Sequence, residues 1–458
     1  MSALADRIVE DFATGARALP GSGIADTRRR SAIKTLEAQG LPGSRDENWK
    51  YANLRALERM RFVPAPAPQI LPSLAHLPEA LPGISRYVFV DGHFAPALSA
   101  TLAAGAARAT RLSQPAEAAP AETVPVDAVP AEGITRADQR FALLNEAFAT
   151  DGLRIDVAAT SGAPLQLEVL FVASAPAQSG ASYPRLEVHL EPGAQLTLIE
   201  RHSSATAQAS FVTSAVQVEL ARGAQLEHYR LQELDNRSTF FDTLSGELAE
   251  DAAYRLHGIS TGGQSARSTL SLRLAGERAD LSLALAALGD RQQVQDAYAV
   301  VEHAAPNART VQTFRGIAAG RARVAFNGKI IVAPGARGTD SHQSLRGLLA
   351  GPEAEIDVRP QLEIYTDEVR CNHGATAGKL DDDMLFYLLS RGLDRDSAQR
   401  LLKWAFLEDV ISQVTLRPLL AHRAAGWRPL QQLPQRYNAQ VNGQSLLDLA
   451  PQRSRRDL

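Results

Sequence analysis

Apolar and polar residues alternate with a period of two through the middle of the chain, from about residue 153 to about residue 375. Short alternating segments recur there, and Gly-, Asp- or Asn-containing turn sequences separate them, which is the pattern of β-strands with one buried face. The segments are LEVLFVA, RLEVHLE, QLTLIE, VQVELA, LSLRLA, LSLALAAL, GKIIVA and AEIDV. This part of the chain is therefore predicted to consist almost entirely of β-sheet.

The turn sequences themselves repeat in kind, as in PGAQLTL, RGAQLEH and PGARGTD, and one alanine marks each of them. The alanines are Ala194, Ala224, Ala252, Ala279, Ala308, Ala322, Ala336 and Ala354. Most steps between them are about 28 or about 14 residues, one being half of the other. Such a repeat indicates stacked coils that bury their apolar faces on each other. It favours a β-helix over a Greek-key sandwich, which has no such period.

The first 152 residues are predicted to form a helical region with Pro-rich linkers and a short β element. In DTRRRSAIKTLEAQG, Asp26 is a candidate helix N-cap and Gly40 is the stop signal. A second helix pattern, ADQRFALLNEAFATDG, ends at Gly152. ISRYVFVDGHFAP predicts a strand followed by a turn at Asp91–Gly92. The Pro-rich segment at 114–133 is predicted to be a surface linker.

Helix patterns return after Gly378, and residues 379–458 are predicted to form a C-terminal helical domain and tail. DDDMLFYLLSRG starts with Asp residues that suit a helix N-terminus and stops at Gly392. A second helix is predicted from 394 to 413. Its apolar face consists of Ala398, Leu401, Leu402, Ala405, Phe406 and Ile411. Such a face needs a cover, either the body of this protein or a partner.

Composition narrows the class of protein. Charged residues make up 22% of the chain and the net charge is −3, without a long basic block, so nucleic-acid binding is not expected. No apolar run approaches the roughly 18 residues of a membrane span, and RIVEDFATGARAL near the N-terminus is amphipathic. The single cysteine excludes an internal disulfide and fits a reducing compartment. A cytoplasmic protein is therefore predicted.

The stretch EVRCNHGATAGKLDDD contains that cysteine, Cys371, two residues before His373. It is not a phosphate loop, because only three residues separate its glycines and Leu380 replaces the magnesium-binding hydroxyl. Cys-x-His is an incomplete metal ligand pair, to which Glu363, Asp367 and the Asp run at 381–383 could add oxygens. An iron–sulfur cluster usually needs four thiolate ligands, so this chain cannot enclose one alone.

Three structural or catalytic alternatives remain open, two for Cys371 and His373 and one for carboxylates elsewhere in the chain. Cys371 could be a nucleophile with His373 as its base, although nothing nearby supplies an oxyanion hole. It could equally be a small buried residue, with His373 packed at a corner and the Asp run capping a helix. A β-helix enzyme of the carbohydrate lyase or hydrolase type would need paired carboxylates. Candidates for that role are Asp296, Glu302 and Asp340, without an aromatic-rich subsite strip.

The run RPQLEIYTDEVRCNHGATAGKLDDDMLFYLLSRGL, residues 359–393, closely resembles the signature of the SufB/SufD family, and within it the SufD branch. FNGKIIVAPGARGTDSHQSLRGLL, SRDENWKYANL and LNEAFATDGLRIDV are similar to the same family, and the resemblance spans residues 40–415 approximately. It implies a right-handed parallel β-helix core flanked by N-terminal and C-terminal α-helical domains. The core corresponds to residues 153–378, the N-terminal domain to residues 1–152 and the C-terminal domain to residues 379–458.

The resemblance also implies a function. Family members of this branch are non-catalytic scaffold subunits of the Suf iron–sulfur cluster assembly complex. They pair with the paralogue SufB through the β-helix and dock the ATPase SufC through the C-terminal helices, here about 379–413. They assist iron acquisition and nascent cluster assembly at the SufB–SufD interface. A reduced flavin in the complex, and a homodimer of the isolated chain, are compatible with the resemblance.

The same resemblance implies a role for the Cys-x-His pair. The family position that matches His373 lies at the interface of the two paralogues and is proposed as a ligand of iron or of the nascent cluster. Cys371 matches a nearby family cysteine and is a second candidate metal ligand, although burial of a small thiol would explain it equally well. RCNHGA differs from the commoner KCSHGA at Arg370 and Asn372, which leaves the type of ligand intact.

Overall fold

A computed structural model of the chain describes residues 3–15, 19–20, 24–43, 46–102, 107–114, 136–159, 162–416 and 419. Residues 115–133 of the predicted linker and most of the predicted tail lie outside these residues. The chain divides into two compact units, Met1–Ala377 and Gly378–Leu458. Among the described residues, no helix is long and apolar enough to cross a membrane.

The helices are α1 Ala3–Gly15, α2 Asp26–Gln39, α3 Arg136–Phe148, α4 Asp382–Ser390 and α5 Arg395–Ile411. The strands are β1 Ser85–Val90, β2 His93–Phe94, β3 Ala107–Arg111, β4 Leu153–Val157, β5 Leu165–Ala173, β6 Arg185–Leu190, β7 Gln195–Ser204, β8 Phe211–Leu220, β9 Gln225–Glu233, β10 Thr239–Leu248, β11 Ala253–Ser260, β12 Ser265–Leu274, β13 Asp280–Gly289, β14 Val294–His303, β15 Arg309–Ala318, β16 Arg323–Val332, β17 Asp340–Leu349, β18 Glu355–Ile364 and β19 Arg370–Lys379.

The strands form a parallel β-solenoid of about eight turns, which confirms the predicted β-helix. From β4 onward, consecutive strands alternate between a ten-stranded sheet, which contains the odd-numbered strands, and a nine-stranded sheet, which contains the even-numbered ones. Each coil therefore adds one strand to each sheet. Gln225 of β9 pairs with Ala253 of β11, and Ala253 pairs with Asp280 of β13, so one coil takes about 28 residues.

The marker alanines of the sequence occupy the corners between the sheets. Five of them, each fully buried, come directly before strands of the ten-stranded sheet: Ala194, Ala224, Ala252, Ala279 and Ala308. Ala322 and Ala354 come before β16 and β18 of the other sheet, which explains the half-length step. The residue before each of the first five has a positive φ: Gly193, Gly223, Asp251, Arg278 and Asn307. The chain turns the corner there in a left-handed conformation and then buries a small side chain.

The two sheets bury a continuous apolar interior. It extends from Tyr87 of β1 to Leu345 of β17 and is built mainly from Leu, Val, Ile and Ala side chains on the inward rows of the strands. In a strand, side chains alternate between the two faces, so residues two apart share a face. This alternation places every second residue of β7 to β17 inside the solenoid.

The N-terminal region closes the first coils. The strand predicted at ISRYVFV is β1, which pairs in parallel with β5 and turns back into β2 through Asp91 and Gly92, both with positive φ. β3 pairs antiparallel with β4 at the corresponding edge of the other sheet. The sequence pattern predicts only that a strand forms in the N-terminal region. It does not show which distant strand this strand pairs with, because alternation carries no information about pairing.

The N-terminal helices form a second apolar core with the outer side of the nine-stranded sheet. α3 packs against α2, β8 and β10. Trp49 is fully buried and lies over the guanidinium of Arg267 at 4.4 Å. In α2, the predicted cap is corrected: Asp26 is the first helical residue, and Ala25 occupies the N-cap without a side-chain hydrogen bond. Gly40, with φ of 67°, ends this helix as predicted.

Candidate functional site at the open end of the solenoid

The two ends of the solenoid differ. At the first coils, β1 is almost wholly buried, whereas β19, the last strand of the ten-stranded sheet, is exposed along nearly its whole length. β18, the last strand of the other sheet, is only half-buried. Ile364 at the end of β18 is 42% exposed, and the next residue, Tyr365, is 60% exposed. The final coil thus leaves both its apolar inward row and a strand edge accessible.

Cys371 and His373 both lie on β19, two residues apart, and so share one face of the strand. Cys371 is half-buried and packs against the apolar interior, which identifies this face as the inward one. His373 is exposed, because no further coil of the described chain covers the inward row at its position. The structure therefore brings both predicted candidates to the open end of the solenoid.

The thiol of Cys371 is held in its protonated form by its surroundings. Burial raises its pKa above the usual value, and the negative charge of Asp340 raises it further. A thiolate is the form that attacks electrophiles and binds metals. The isolated chain therefore gives Cys371 no activation as a nucleophile, and a cation would have to displace the proton to bind there.

The register of β19 on its neighbour β17 is fixed by contacts at two positions. The backbone N–H of Arg370 donates to Thr339 O at 2.8 Å, and His342 Nδ1 and Asn372 Oδ1 share a hydrogen bond on the outward face. Counting along both strands from these contacts places Ser341 beside Cys371, and Gln343 beside His373. Adjacent strands lie about 4.8 Å apart, so these side chains are lateral neighbours.

The inward row of β17 is polar beside the open end. Ser341 and Gln343 are both fully buried. Gln343 Nε2 donates to Gln312 Oε1 at 2.9 Å and to Gly328 O at 3.1 Å. Among the residues that the structure describes, Gln343 Oε1 and Ser341 Oγ have no hydrogen-bond partner. A Cβ at position 328 would lie 2.9 Å from both Gln312 Oε1 and Gln343 Nε2, so glycine provides the space for this amide pair. Nothing in the sequence pattern marks Ser341 or Gln343 as part of a site.

Two of the other candidate ligands, Glu363 and Asp381, have structural partners. Glu363, on the outward face of β18, pairs with Lys329 at 2.8 Å. Asp381 is the N-cap of α4 and accepts hydrogen bonds from the backbone N–H groups of Asp383 and Met384, so the helix-capping alternative is confirmed for this residue. In the described part of the chain, no three His, Cys, Asp or Glu residues are placed to hold a metal ion together.

The carboxylates considered for a carbohydrate enzyme do not converge. Asp296 is buried on the outward face of β14, in an ion pair with Arg267. Glu302 lies six residues further along the same strand, which is about 20 Å, and is paired with Arg273 at 3.2 Å. Asp340 belongs to the other sheet and is exposed. Asp296 and Glu302 are therefore separated by more than the about 5 to 9.5 Å that paired acids in glycoside hydrolysis require.

A buried ionic cluster lies inside the solenoid, several coils from the open end. Arg230 donates to Glu200 at 2.7 Å and to Asp242 at 2.8 Å, while His202 and His228 lie 2.6 and 3.1 Å from the oxygens of Glu200. Burial favours the protonated carboxyl, but Arg230 and the two histidines outweigh it and hold the pKa of Glu200 well below its usual range. These charges satisfy one another, so the cluster belongs to the core.

A small cavity and a larger groove lie along the solenoid. The cavity beside the ionic cluster has a volume of about 70 Å³, far below the roughly 300 Å³ at which small-molecule sites begin. A larger groove, of about 470 Å³, lies on the outer face of the nine-stranded sheet and is lined by His189, Glu219 and Glu247. Two of its carboxylates already have partners: His189 lies 2.9 Å from Glu219, and Arg273 lies 3.6 Å from Glu247.

The unit Gly378–Leu458 contains a helical hairpin, α4 and α5, with an apolar core of its own. The predicted apolar face of α5 is partly wrong: Ala405 is exposed, whereas Leu407 and Val410 are buried. The buried positions change direction along α5, from Ala398 and Leu401 to Leu407 and Val410, which a single helical stripe does not describe. On α4, Phe386 is 72% exposed.

The fold is a parallel β-solenoid with one closed end and an open end that carries histidine and cysteine. A helical hairpin follows it in the chain. The family described as "SUF system FeS cluster assembly, SufBD core domain" matches residues 171–406, and the chain belongs to this family of iron–sulfur cluster assembly proteins. The chain is 32% identical over 386 residues to the iron–sulfur cluster assembly protein SufD of Escherichia coli, covering 82% of this chain and 86% of that protein.

Two further relatives agree with this assignment. An iron–sulfur cluster assembly SufBD family protein of Synechocystis is 30% identical over 404 residues, 86% of this chain and 88% of its own length. The chloroplastic protein ABCI7 of Arabidopsis thaliana is 28% identical over 240 residues, which cover 52% of this chain and 50% of that protein. The match to the Synechocystis protein is longer than the core domain and therefore extends beyond it.

Proposed function

We propose that this chain is a non-catalytic scaffold subunit of a cytoplasmic iron–sulfur cluster assembly complex, and that it pairs with a SufB-type paralogue through the open end of its solenoid. The observation that carries the proposal is the difference between the two ends. Solenoid proteins need a polar cap or a partner over each terminal coil. β1, β2 and β3 close the first coils, whereas β19 offers an unpaired edge and an exposed inward row.

The proposal assigns His373 as a ligand to iron or to the nascent cluster, and Cys371 as a second ligand. Imidazole and thiolate are the two protein groups that hold iron–sulfur clusters, usually four per cluster. Both residues lie on the strand that the partner would cover, so ligands from the two chains would meet there. In this arrangement the cluster is cargo, and the chain assists its assembly and the acquisition of its iron.

The helices α4 and α5, within residues 379–413, are proposed as the docking element for a SufC-type ATPase. Two observations support this assignment. The hairpin has its own apolar core and belongs to a separate compact unit, and it still presents Phe386 to solvent. Exposed aromatic side chains of this kind are frequent anchors of protein interfaces. The energy of ATP hydrolysis would then come from the partner.

The test is to co-express the chain with SufB-type and SufC-type partners and to purify the complex without oxygen. We expect His373→Ala to lower the iron and sulfide content of the complex while the subunits still co-purify, because only a ligand is lost from an exposed position. Cys371→Ala should lower it less, since the thiol is half-buried and protonated. Thr376→Ala, on the opposite face of β19, is the control and should leave iron content unchanged.

Two results would contradict the proposal. Failure of the partners to co-purify with the unmodified chain would remove the scaffold function. Unchanged iron, sulfide and cluster delivery in His373→Ala, with the complex intact, would remove His373 as a ligand.

A further inference from the structure

We propose that Gln343 is a positioning residue for His373: its Oε1 accepts a hydrogen bond from a ring N–H of His373 and so leaves the other ring nitrogen free toward the open end. This inference rests on the proposed function of His373 as a metal ligand. It concerns two residues of this chain alone, and the partner is not needed to form the bond. It rests on the unpaired amide oxygen and on the strand register.

The amide of Gln343 is fixed at its nitrogen end. Nε2 donates to Gln312 Oε1 on the preceding coil and to Gly328 O across the interior. Because the nitrogen and oxygen of an amide diverge from one carbon, the oxygen is turned away from Gln312. Gln312 lies on β15, on one side of β17, and β19 lies on the other side. The unpaired oxygen is therefore available to the strand that carries His373.

A buried acceptor without a donor is rare in folded proteins, and each case calls for an explanation. Gln343 is fully buried, and its Oε1 has no partner among the described residues. The register places His373 beside it, at the ordinary spacing of about 4.8 Å between strands. The proposed bond requires rotation of the exposed imidazole about its side-chain bonds, which would bring a ring N–H to this oxygen.

The chemistry of metal-binding histidines explains why such a bond would matter. A histidine that binds a metal through one ring nitrogen almost always donates its other N–H to an oxygen acceptor, which fixes both the tautomer and the ring orientation. At the open end, Gln343 is buried on the neighbouring strand β17, and the ligand approaches from the exposed side of His373. A hydrogen bond to Gln343 therefore orients the second nitrogen of His373 toward the approaching iron.

The test compares Gln343→Leu with a matched control, Gln312→Leu, which also replaces a buried amide by leucine but lies one coil further from His373. In Gln312→Leu, Gly328 O still holds the Gln343 amide. The first measurement is the ¹⁵N NMR spectrum of the histidine rings in the full isolated chain, with His373 assigned by its loss in His373→Ala. We expect one dominant tautomer of His373 in the unmodified chain and in Gln312→Leu. We expect a mixture, typical of an unconstrained imidazole, in Gln343→Leu.

The second measurement is the affinity of the anaerobically purified complex for ferrous iron. Loss of such an acceptor typically lowers metal affinity by about 10- to 100-fold, and this is the loss that we expect for Gln343→Leu. Identical His373 ring signals in Gln343→Leu and the unmodified chain would overturn the inference, as would equal loss of iron in Gln312→Leu.

The outcomes separate this inference from the function on which it rests. If His373→Ala retains its iron, the ligand assignment itself fails. If His373→Ala loses iron but Gln343→Leu keeps both its iron and its ring signals, His373 remains a ligand, and only the positioning role of Gln343 is removed.

Discussion

His303 lies on the inward row of β14, fully buried, with its Nε2 2.8 Å from the hydroxyl oxygen of Thr310. Burial lowers the pKa of His303 from 6.5 to about 4. As the pH falls below 6.5, the unfolded chain takes up a proton at this residue before the folded chain does. The free energy of unfolding therefore decreases between about pH 6.5 and pH 4.

His303→Gln, which keeps a hydrogen-bonding side chain but does not titrate, should reduce this pH dependence. With the pKa values of 6.5 and about 4, one such histidine removes about 2 kcal/mol of stability between pH 7 and pH 5. We expect the decrease measured by urea unfolding over this interval to be smaller in the variant by about that amount. An equal decrease in both proteins would show that the pKa of His303 is not lowered in the folded chain. His76→Gln, at an exposed position, is the control.

At the scale of residues, the sequence identified the open-end candidates because their signal is local. Cys371 and His373 stand two apart in a short motif that resembles a known family. The polar interior gave no such signal. Arg230 and Gln343 occupy positions that share the inward face with leucines, and a polar residue at such a position in the sequence is more often a sign of the solvent face. Only the register of distant strands shows that these side chains have buried partners.

At the scale of elements, the corners between sheets depend on a backbone conformation. Gly223 has a φ of 67°, and a Cβ at this position would meet no atom within 4 Å. A substitution there is consequently opposed only by the left-handed backbone, which costs an L-residue about 1 to 2 kcal/mol.

Gly223→Ala should lower the free energy of unfolding by about 1 kcal/mol, measured by chemical denaturation. The matched control is Gly162→Ala, because Gly162 also has open space around its Cβ position but no positive φ. We expect the control to be neutral or slightly stabilising, since alanine restricts the unfolded chain. Equal effects of the two substitutions would exclude the left-handed conformation as the cause.

The sequence predicted these elements well where a period governs them. The alternation gave the strands, and the spacing of the alanines gave the coils, because each coil repeats one geometry at its corner. The same reasoning was less successful for α5, whose buried residues change from Ala398 and Leu401 to Leu407 and Val410 along the helix. A fixed stripe describes a helix whose buried face keeps one direction along its length, and the buried face of α5 does not. β1 and β3 show a further limit, since pairing partners far apart in sequence leave no local period.

At the scale of the whole molecule, the proposed interface can be blocked without changing the isolated chain. Ala375 lies on the inward row of β19 and is exposed, so Ala375→Lys should fold normally. In the complex the new ammonium would be buried without a partner charge, which costs several kcal/mol. Binding of the SufB-type partner should weaken by more than about tenfold, which corresponds to 1.4 kcal/mol.

Thr376→Lys is the control, because Thr376 is equally exposed but faces outward from the same strand. Binding can be measured by co-purification and by titration of the separately purified chains. Full binding by Ala375→Lys would show that the partner does not cover the inward row of the last coil. Loss of binding in both variants would indicate contact with both faces of β19.

With the proposed pairing, the unequal ends of the solenoid also predict how long a copy of this protein survives. An exposed last coil opens more readily than one that is covered, and proteases act on such transiently opened segments. A partner that binds only the folded end stabilises it in proportion to the partner's concentration. Copies produced in excess of the partner should therefore be degraded first, starting from the last coil. In this way, the cell could keep the two subunits in balance without regulating their synthesis separately.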